Sequence, residues 1–157
     1  MSSLRVSAAV LVLVIGCSKS TPQQTEGSLG EVSLASKLPA GVAPTDDVKT
    51  YDTRRTGCAG ARHDAPIDIR VRWKAFTKDD AMYVASYSVE VVKPAPGVLV
   101  QLEKEPNIMD VKVASSPKMT ATKVTLKCTS RPMGNLFEET MTVYIRADGL
   151  AANTPVW

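Results

Sequence analysis

Between Ile67 and Ala75 the chain alternates without a break. Ile67, Ile69, Val71, Trp73 and Ala75 fall on one side, and Asp68, Arg70, Arg72 and Lys74 on the other. Successive side chains of a strand point to opposite faces, whereas a helix brings together residues three or four apart. This period therefore requires a half-buried strand with one apolar and one mostly basic face. It recurs along the chain. Tyr83, Ala85, Tyr87, Val89 and Val91 stand opposite Ser86, Ser88 and Glu90. Shorter rows follow at Val98, Val100 and Leu102, and at Met109, Val111 and Val113. Val124, Leu126 and Cys128 alternate with Lys123, Thr125 and Lys127, and Met141, Val143 and Ile145 with Thr142, Tyr144 and Arg146. Turn chemistry separates the rows at Thr77–Asp80, Pro94–Gly97, Pro106–Asn107, Ser115–Pro117 and Pro132–Asn135. The inward positions are rich in β-branched and aromatic residues, which suit a pleated surface, and no stretch has a convincing helical period. The expected fold is all-β, an antiparallel β-sandwich of about seven strands, with a small closed barrel as the main alternative.

The N-terminal segment has a different character. A short start carrying Arg5 leads into an apolar run, Val6 to Ile15, and then Gly16 and Cys17. Basic start, apolar core and small residue before a cut make a secretory signal. The run is shorter than the ~20 residues a spanning helix needs. Val14-Ile15-Gly16-Cys17 resembles the lipobox of bacterial lipoproteins. An ordinary signal prefers a small residue where Val14 stands, whereas the lipoprotein pattern tolerates an aliphatic one there. The resemblance implies cleavage before Cys17, a diacylglycerol on its sulfur and acylation of its new amine. Two or more acyl chains make membrane attachment stable where one is marginal. Location then follows as the bacterial cell envelope, with the lipid as anchor. Ser18, in place of Asp, favours the outer membrane under the sorting rule of enteric bacteria. The domain plan is a signal over 1–16, lipidated Cys17 and a flexible linker over 17–49, and a β domain over 50–157.

Cysteine use follows from this plan. Of three cysteines, the lipid consumes Cys17. Cys58 and Cys128 remain in an oxidising compartment, where a disulfide persists. Pairing of Cys58 with Cys128 is the expectation; metal ligation and a free thiol are the alternatives. The linker reading rests on composition: Ser18 to Ser28 has almost no apolar content and cannot bury enough surface to offset its ordering entropy. Val32-Ser33-Leu34-Ala35 within it is a candidate early strand, before Pro39, Gly41 and Pro44 break the pattern.

The stretch from Val89 to Asp148 resembles the immunoglobulin-like and fibronectin type III-like modules of bacterial surfaces. The carrying features are Pro96-Gly97-Val98 opening a strand, Val124-x-Leu126-x-Cys128, and Thr142-Val143-Tyr144-Ile145-Arg146-Ala147. Cys58, Trp73 and Cys128 also come in the order of the Cys, Trp and Cys of antibody-type domains. Cys58 lies in a Gly-rich stretch, however, and Leu126 stands where such domains carry a corner tyrosine. The resemblance is thus to an Ig-like sandwich rather than to an antibody-type domain, and such a fold implies no particular activity.

The search for chemistry excludes more than it finds. His63 is the single histidine, so sites that need two or three histidines are excluded. A Ser-His-Asp triad would have to use His63 with Asp64 beside it and lacks a nucleophile-elbow motif. Met82, Met109, Met119, Met133 and Met141 are scattered along the sequence, and core packing and turn positions account for them. The pairs Asp79-Asp80, Glu103/Glu105 and Glu138-Glu139 read as solvating charges, because catalytic carboxylates face each other across a cleft. Two candidate binding sites remain. Arg54, Arg55, Arg62 and His63 flank Gly57 and Gly60, whose amides suit an anion-binding nest; against this stands a disulfide-pinned loop with arginines for solubility. Arg70, Arg72 and Lys74 form a basic row suited to an acidic partner, or simply the wet face of a strand.

The formal charge of +3, part of which leaves with Arg5, does not identify a nucleic-acid partner. The expectation is a non-enzymatic envelope lipoprotein without cofactor or metal. It contacts the membrane through its lipid and binds an envelope protein or polymer through strand edges or the basic face. The alternative is a periplasmic small-ligand or metal carrier using the Cys58–His63 loop.

Overall fold

A computed structural model describes residues 24–44, 47–58, 66–111 and 118–155. Cys17, Arg62 and His63 lie outside the described residues. Nine strands occur among them. They are β1 (Gly27–Ser33), β2 (Val48–Gly57), β3 (Ile67–Lys78), β4 (Ala81–Lys93), β5 (Val98–Leu102), β6 (Met109–Val111), β7 (Met119–Ser130), β8 (Phe137–Arg146) and β9 (Ala151–Ala152). Single 3-10 turns lie at Ala35–Lys37 and Pro132–Gly134. The protein is all-β, as the alternation requires.

The strands form one hydrogen-bonded sheet in the order β2-β3-β4-β7-β8-β9; β1 adds to β4, and β5 and β6 add to β7. The sheet is mixed rather than purely antiparallel, because β4 and β7 meet in a parallel contact at Met82 and Met119. Met82 N–H donates to the Lys118 carbonyl at 2.8 Å. Two antiparallel groups, β1-β4-β3-β2 and β5/β6-β7-β8-β9, are thus joined along one side and share one core. The result is nearly barrel-shaped. The open sides are bridged by side chains. Gln24 Oε1 accepts from Val100 N–H at 3.0 Å, tying the segment before β1 to β5. Across the other gap Arg55 Nη2 donates to the Ala151 carbonyl of β9.

The alternation in β3 holds from Ile67 to Ala75, with Ile67, Ile69, Val71, Trp73 and Ala75 buried in the core, and ends at Phe76, which is buried as well. In β4 the period slips. Val84 is buried where Tyr83 and Ala85 were the expected inward residues; those two are only half-buried. A bulge is the reason, since Lys74 faces Ser86 but Ala75 faces Val84, leaving Ala85 as the extra residue. The backbone groups the bulge removes from the ladder find partners elsewhere. The Ala85 carbonyl accepts from Leu34 N–H at 2.9 Å, and Val84 N–H donates to Thr120 Oγ1 at 3.0 Å. Buried Thr120 is therefore an acceptor for a backbone amide that would otherwise be costly to bury. The β3–β4 turn is a two-residue connection with positive φ at Asp79 and Asp80, the geometry whose twist matches flanking strands.

Two segments depart from the expected boundaries. β1 lies inside the 17–49 range that composition assigns to a linker. Val32 and Leu34 are buried, and Leu34 is 0% exposed. Two inward side chains suffice because β4 supplies the ladder for the rest. β2 occupies part of what reads as a turn-rich approach to Cys58. It pairs with β3 over ten residues, from Val48↔Phe76 to Gly57↔Ile67. Its side chains are exposed or half-buried, so the apolar period that reveals other strands is missing from it.

The strands give the molecule two ends. One carries Gln24, the Cys58–Cys128 bridge and the β7–β8 turn over 131–136. The other carries the β3–β4 turn, β6, the Met82–Met119 contact and the β8–β9 turn. At that second end Gly149 has φ +98°, and a Cβ there would stand 2.7 Å from the Tyr51 ring. Backbone and ring approach too closely for any side chain.

Candidate functional site

The basic row lies where the strand period places it, on the outward face of β3. Register decides what surrounds it. Arg70 faces Arg54 on one side and Glu90 on the other; Arg72 faces Asp52 and Ser88; Lys74 faces Thr50 and Ser86. Beyond β4, Glu31 of β1 pairs in register with Ser88, and its carboxylate accepts from the Ser86 hydroxyl at 2.9 Å. Arg70 makes a loose ion pair with Glu90 at 3.7 Å. Pairing across strands thus interleaves Asp52, Asp68, Glu90 and Glu31 with the basic residues. The face is mixed in charge, and a shallow depression of about 220 Å³ runs between Arg70, Arg72 and Ser28.

Arg54 and Arg55 separate. As neighbours on β2 they point to opposite faces. Arg54 turns outward to Asp68, with Nη2 at 2.7 Å from Oδ2, while Thr56 Oγ1 donates to Oδ1 at 2.5 Å. Arg55 turns inward to the Ala151 carbonyl. The two arginines therefore do not gather around one anion nest, and each has a partner within the fold. The Thr56 hydroxyl, and after it the Arg54 guanidinium, holds the Asp68 carboxyl below its ordinary 3.8. A carboxylate with a depressed folded value contributes stability above its ordinary value and loses it as pH falls through the folded one. Acid titration of the unfolding midpoint is expected to show this loss below pH 3.8. Asp68→Asn should be less stable at neutral pH and show a smaller acid loss than the parent. Asp148, held down chiefly by its paired hydrogen bonds from Arg146 at 2.7 Å each, keeps its own share of the acid loss in both proteins.

Cys58 and Cys128 form a disulfide whose loop spans a sequence separation of 70 residues. Cys58 closes β2 with φ 54°, just past the strand, as its Gly-rich surroundings imply. Both sulfurs are bonded to each other, so neither offers a thiolate to a metal. Among the described residues no three His, Cys, Asp or Glu side chains gather as metal ligands.

The described residues also form a concavity that the sequence does not reveal. A cleft of about 860 Å³ opens at the end opposite the disulfide. Ala81, Met82, Val111 and Met119 supply an apolar floor, and Lys37, Tyr83, Asp110 and Lys118 supply polar edges. Met82 and Met119, far apart in sequence, meet in this floor. Met82 and Met109 pack against Met119, Val111 and Ala121 in a small apolar cluster separate from the main core. Two pairings build the cluster, β4 beside β7 and β6 beside β7, and the 3-10 turn after β1 carries Lys37 to the rim. The sequence offers only the turn residues Pro106-Asn107 before β6. Flexible thioether side chains suit a surface that accommodates varied shapes.

No protein-family model matches the chain, no curated protein is significantly similar to it, and no solved structure matches it.

Proposed function

We propose that this chain is a lipid-anchored envelope protein, attached through Cys17, that acts as a non-enzymatic binding module for another envelope protein or polymer. The cleft at the end away from the disulfide carries this reading. It combines a methionine-rich apolar floor with the ammonium groups of Lys37 and Lys118 at its edge. Such a surface receives an apolar anchor flanked by acidic groups, the floor supplying burial and the lysines orientation. The mixed-charge face of β3 is a secondary contact. Among sandwich architectures the Ig-like one is our reading of the fold. Two facing strand groups, one core and a disulfide sharing that core with Trp73 support it.

A small-ligand carrier is the second reading, favoured by cleft volume, which lies within the range of ligand pockets of ~300–1,000 Å³. In-cell photo-crosslinking distinguishes the two. A photoreactive residue replaces Tyr83 in the cleft or Arg72 on the outer face of the full-length protein. We expect one dominant macromolecular adduct from position 83 and its loss on Lys37→Glu/Lys118→Glu. Adducts from position 72 alone would move the binding surface to the β3 face. Small-molecule adducts alone at position 83 would establish the carrier.

A further inference from the structure

We infer that the β7–β8 turn, residues 131–136, is a membrane-contacting tip that inserts Met133 and Leu136 among lipid headgroups. The inference rests on the lipid anchor at Cys17. Its first support is exposure. Met133 is 84% and Leu136 53% exposed at the apex of one turn, and Met133 holds a left-handed φ of 50°, a conformation that bulky residues seldom adopt. Arg131 beside them is exposed and has no ion-pair partner among the described residues. Of the two nearby acids, Glu138 and Glu139, Glu138 is paired with Lys127 at 2.7 Å. An apolar tip with a free cation is the composition that enters an anionic interface.

The second support is the length of chain between anchor and fold. Gln24 is bound to Val100, which pairs with Cys128, two residues before the end of β7. At ~3.4 Å per residue this places Gln24 roughly 7 Å along the strand from the turn. Cys17 is seven residues from Gln24, a span of at most ~25 Å whatever its conformation. β7 has twelve residues, about 40 Å of strand at that rise. The lipid therefore holds the disulfide end next to the bilayer, and the cleft end points away from it. The linker that composition draws to residue 49 would have let either end face the membrane; the pairing of β1 with β4 removes that freedom.

The test uses the full lipidated chain in phosphatidylcholine/phosphatidylglycerol vesicles with brominated acyl chains. Leu136→Trp is compared with Val48→Trp, an exposed apolar position at the far end, after subtraction of the parent's own tryptophan signal. We expect a shift to shorter emission wavelength and strong bromine quenching for Leu136→Trp, with neither for Val48→Trp. Equal quenching at both positions, or none at 136, overturns the membrane tip. A concentration-dependent shift without vesicles, and no quenching with them, overturns it in favour of self-association. Intact mass of the parent and of Cys17→Ser separates the two levels of the argument. Lipid present without quenching at 136 refutes the tip alone, whereas a mature chain that carries no lipid refutes the anchor and the tip with it.

Discussion

Trp73→Ala is expected to destabilise the domain by about 3–5 kcal/mol, as truncation of a large buried aromatic does. Trp73 is 1% exposed and is the largest fully buried side chain among the described residues. It stands where three parts of the fold converge. Its ring lies 5.7 Å from that of Tyr51 on β2, it pairs in register with Tyr87 on β4, and its indole N–H donates to the Arg146 carbonyl at 3.0 Å. That last bond crosses the core to β8, at the end where β2 and β9 approach without a backbone ladder. Two terms add in the alanine variant: the cavity left in the core and the loss of a bond that ties the two strand groups together. Trp73→Phe separates them. It keeps most of the ring volume and removes the donor; the Arg146 carbonyl keeps Gly149 N–H as a donor at 3.0 Å, so the expected loss is the net worth of one hydrogen bond, about 0.5–1.5 kcal/mol. Urea unfolding of both variants checks this, since for domains of this size a total of roughly 5–15 kcal/mol is usual. A Trp73→Phe midpoint equal to that of the parent would show that the indole bond contributes nothing.

Removal of the disulfide, as Cys58→Ala/Cys128→Ala, is expected to destabilise the domain by about 4 kcal/mol through loop-closure entropy released to the unfolded chain. The bridge joins the end of β2 to β7, hence one strand group to the other. It sits at the end opposite the parallel contact of β4 with β7. One end of the near-barrel is thus held covalently and the other by hydrogen bonds and the Trp73–Arg146 contact. The variant should also show a steeper dependence on urea, because an unfolded chain without the cross-link exposes more surface. An unchanged midpoint and slope would mean that the bridge is redundant with the packing around it. The two sets of variants act at different places, so their combination tests additivity across the core.

How much of this was legible beforehand varied with burial. β3, β7 and β8 could be read directly, because one face of each meets the core and the period of two is written in their side chains. β4 was legible as a strand but not in its phase beyond the bulge, since the extra residue at Ala85 shows only in pairing with β3. β2 was hidden because a strand at a sheet margin needs no apolar row. β1 was hidden by its Ser and Gly residues, although Val32-Ser33-Leu34 gave a faint signal of it. Arg54 and Arg55 part for a related reason: adjacent positions read as a cluster in a loop but are opposed on a strand, while Gly60, Arg62 and His63 of the candidate nest lie outside the described residues.

The sequence by itself determined that the chain is all-β, where its turns fall and which face of β3 is basic, because these depend on the local alternation of side chains and on turn chemistry. Tertiary structure alone decided that Cys58 and Cys128 lie close enough to pair, that carboxylates from β2, β4 and β1 flank the basic row, and that the distant Met82 and Met119 line one cleft. Each of these depends on which strand lies beside which. That choice is made by burial of whole faces in a shared core, a property of the assembled sheet that no single stretch of residues carries.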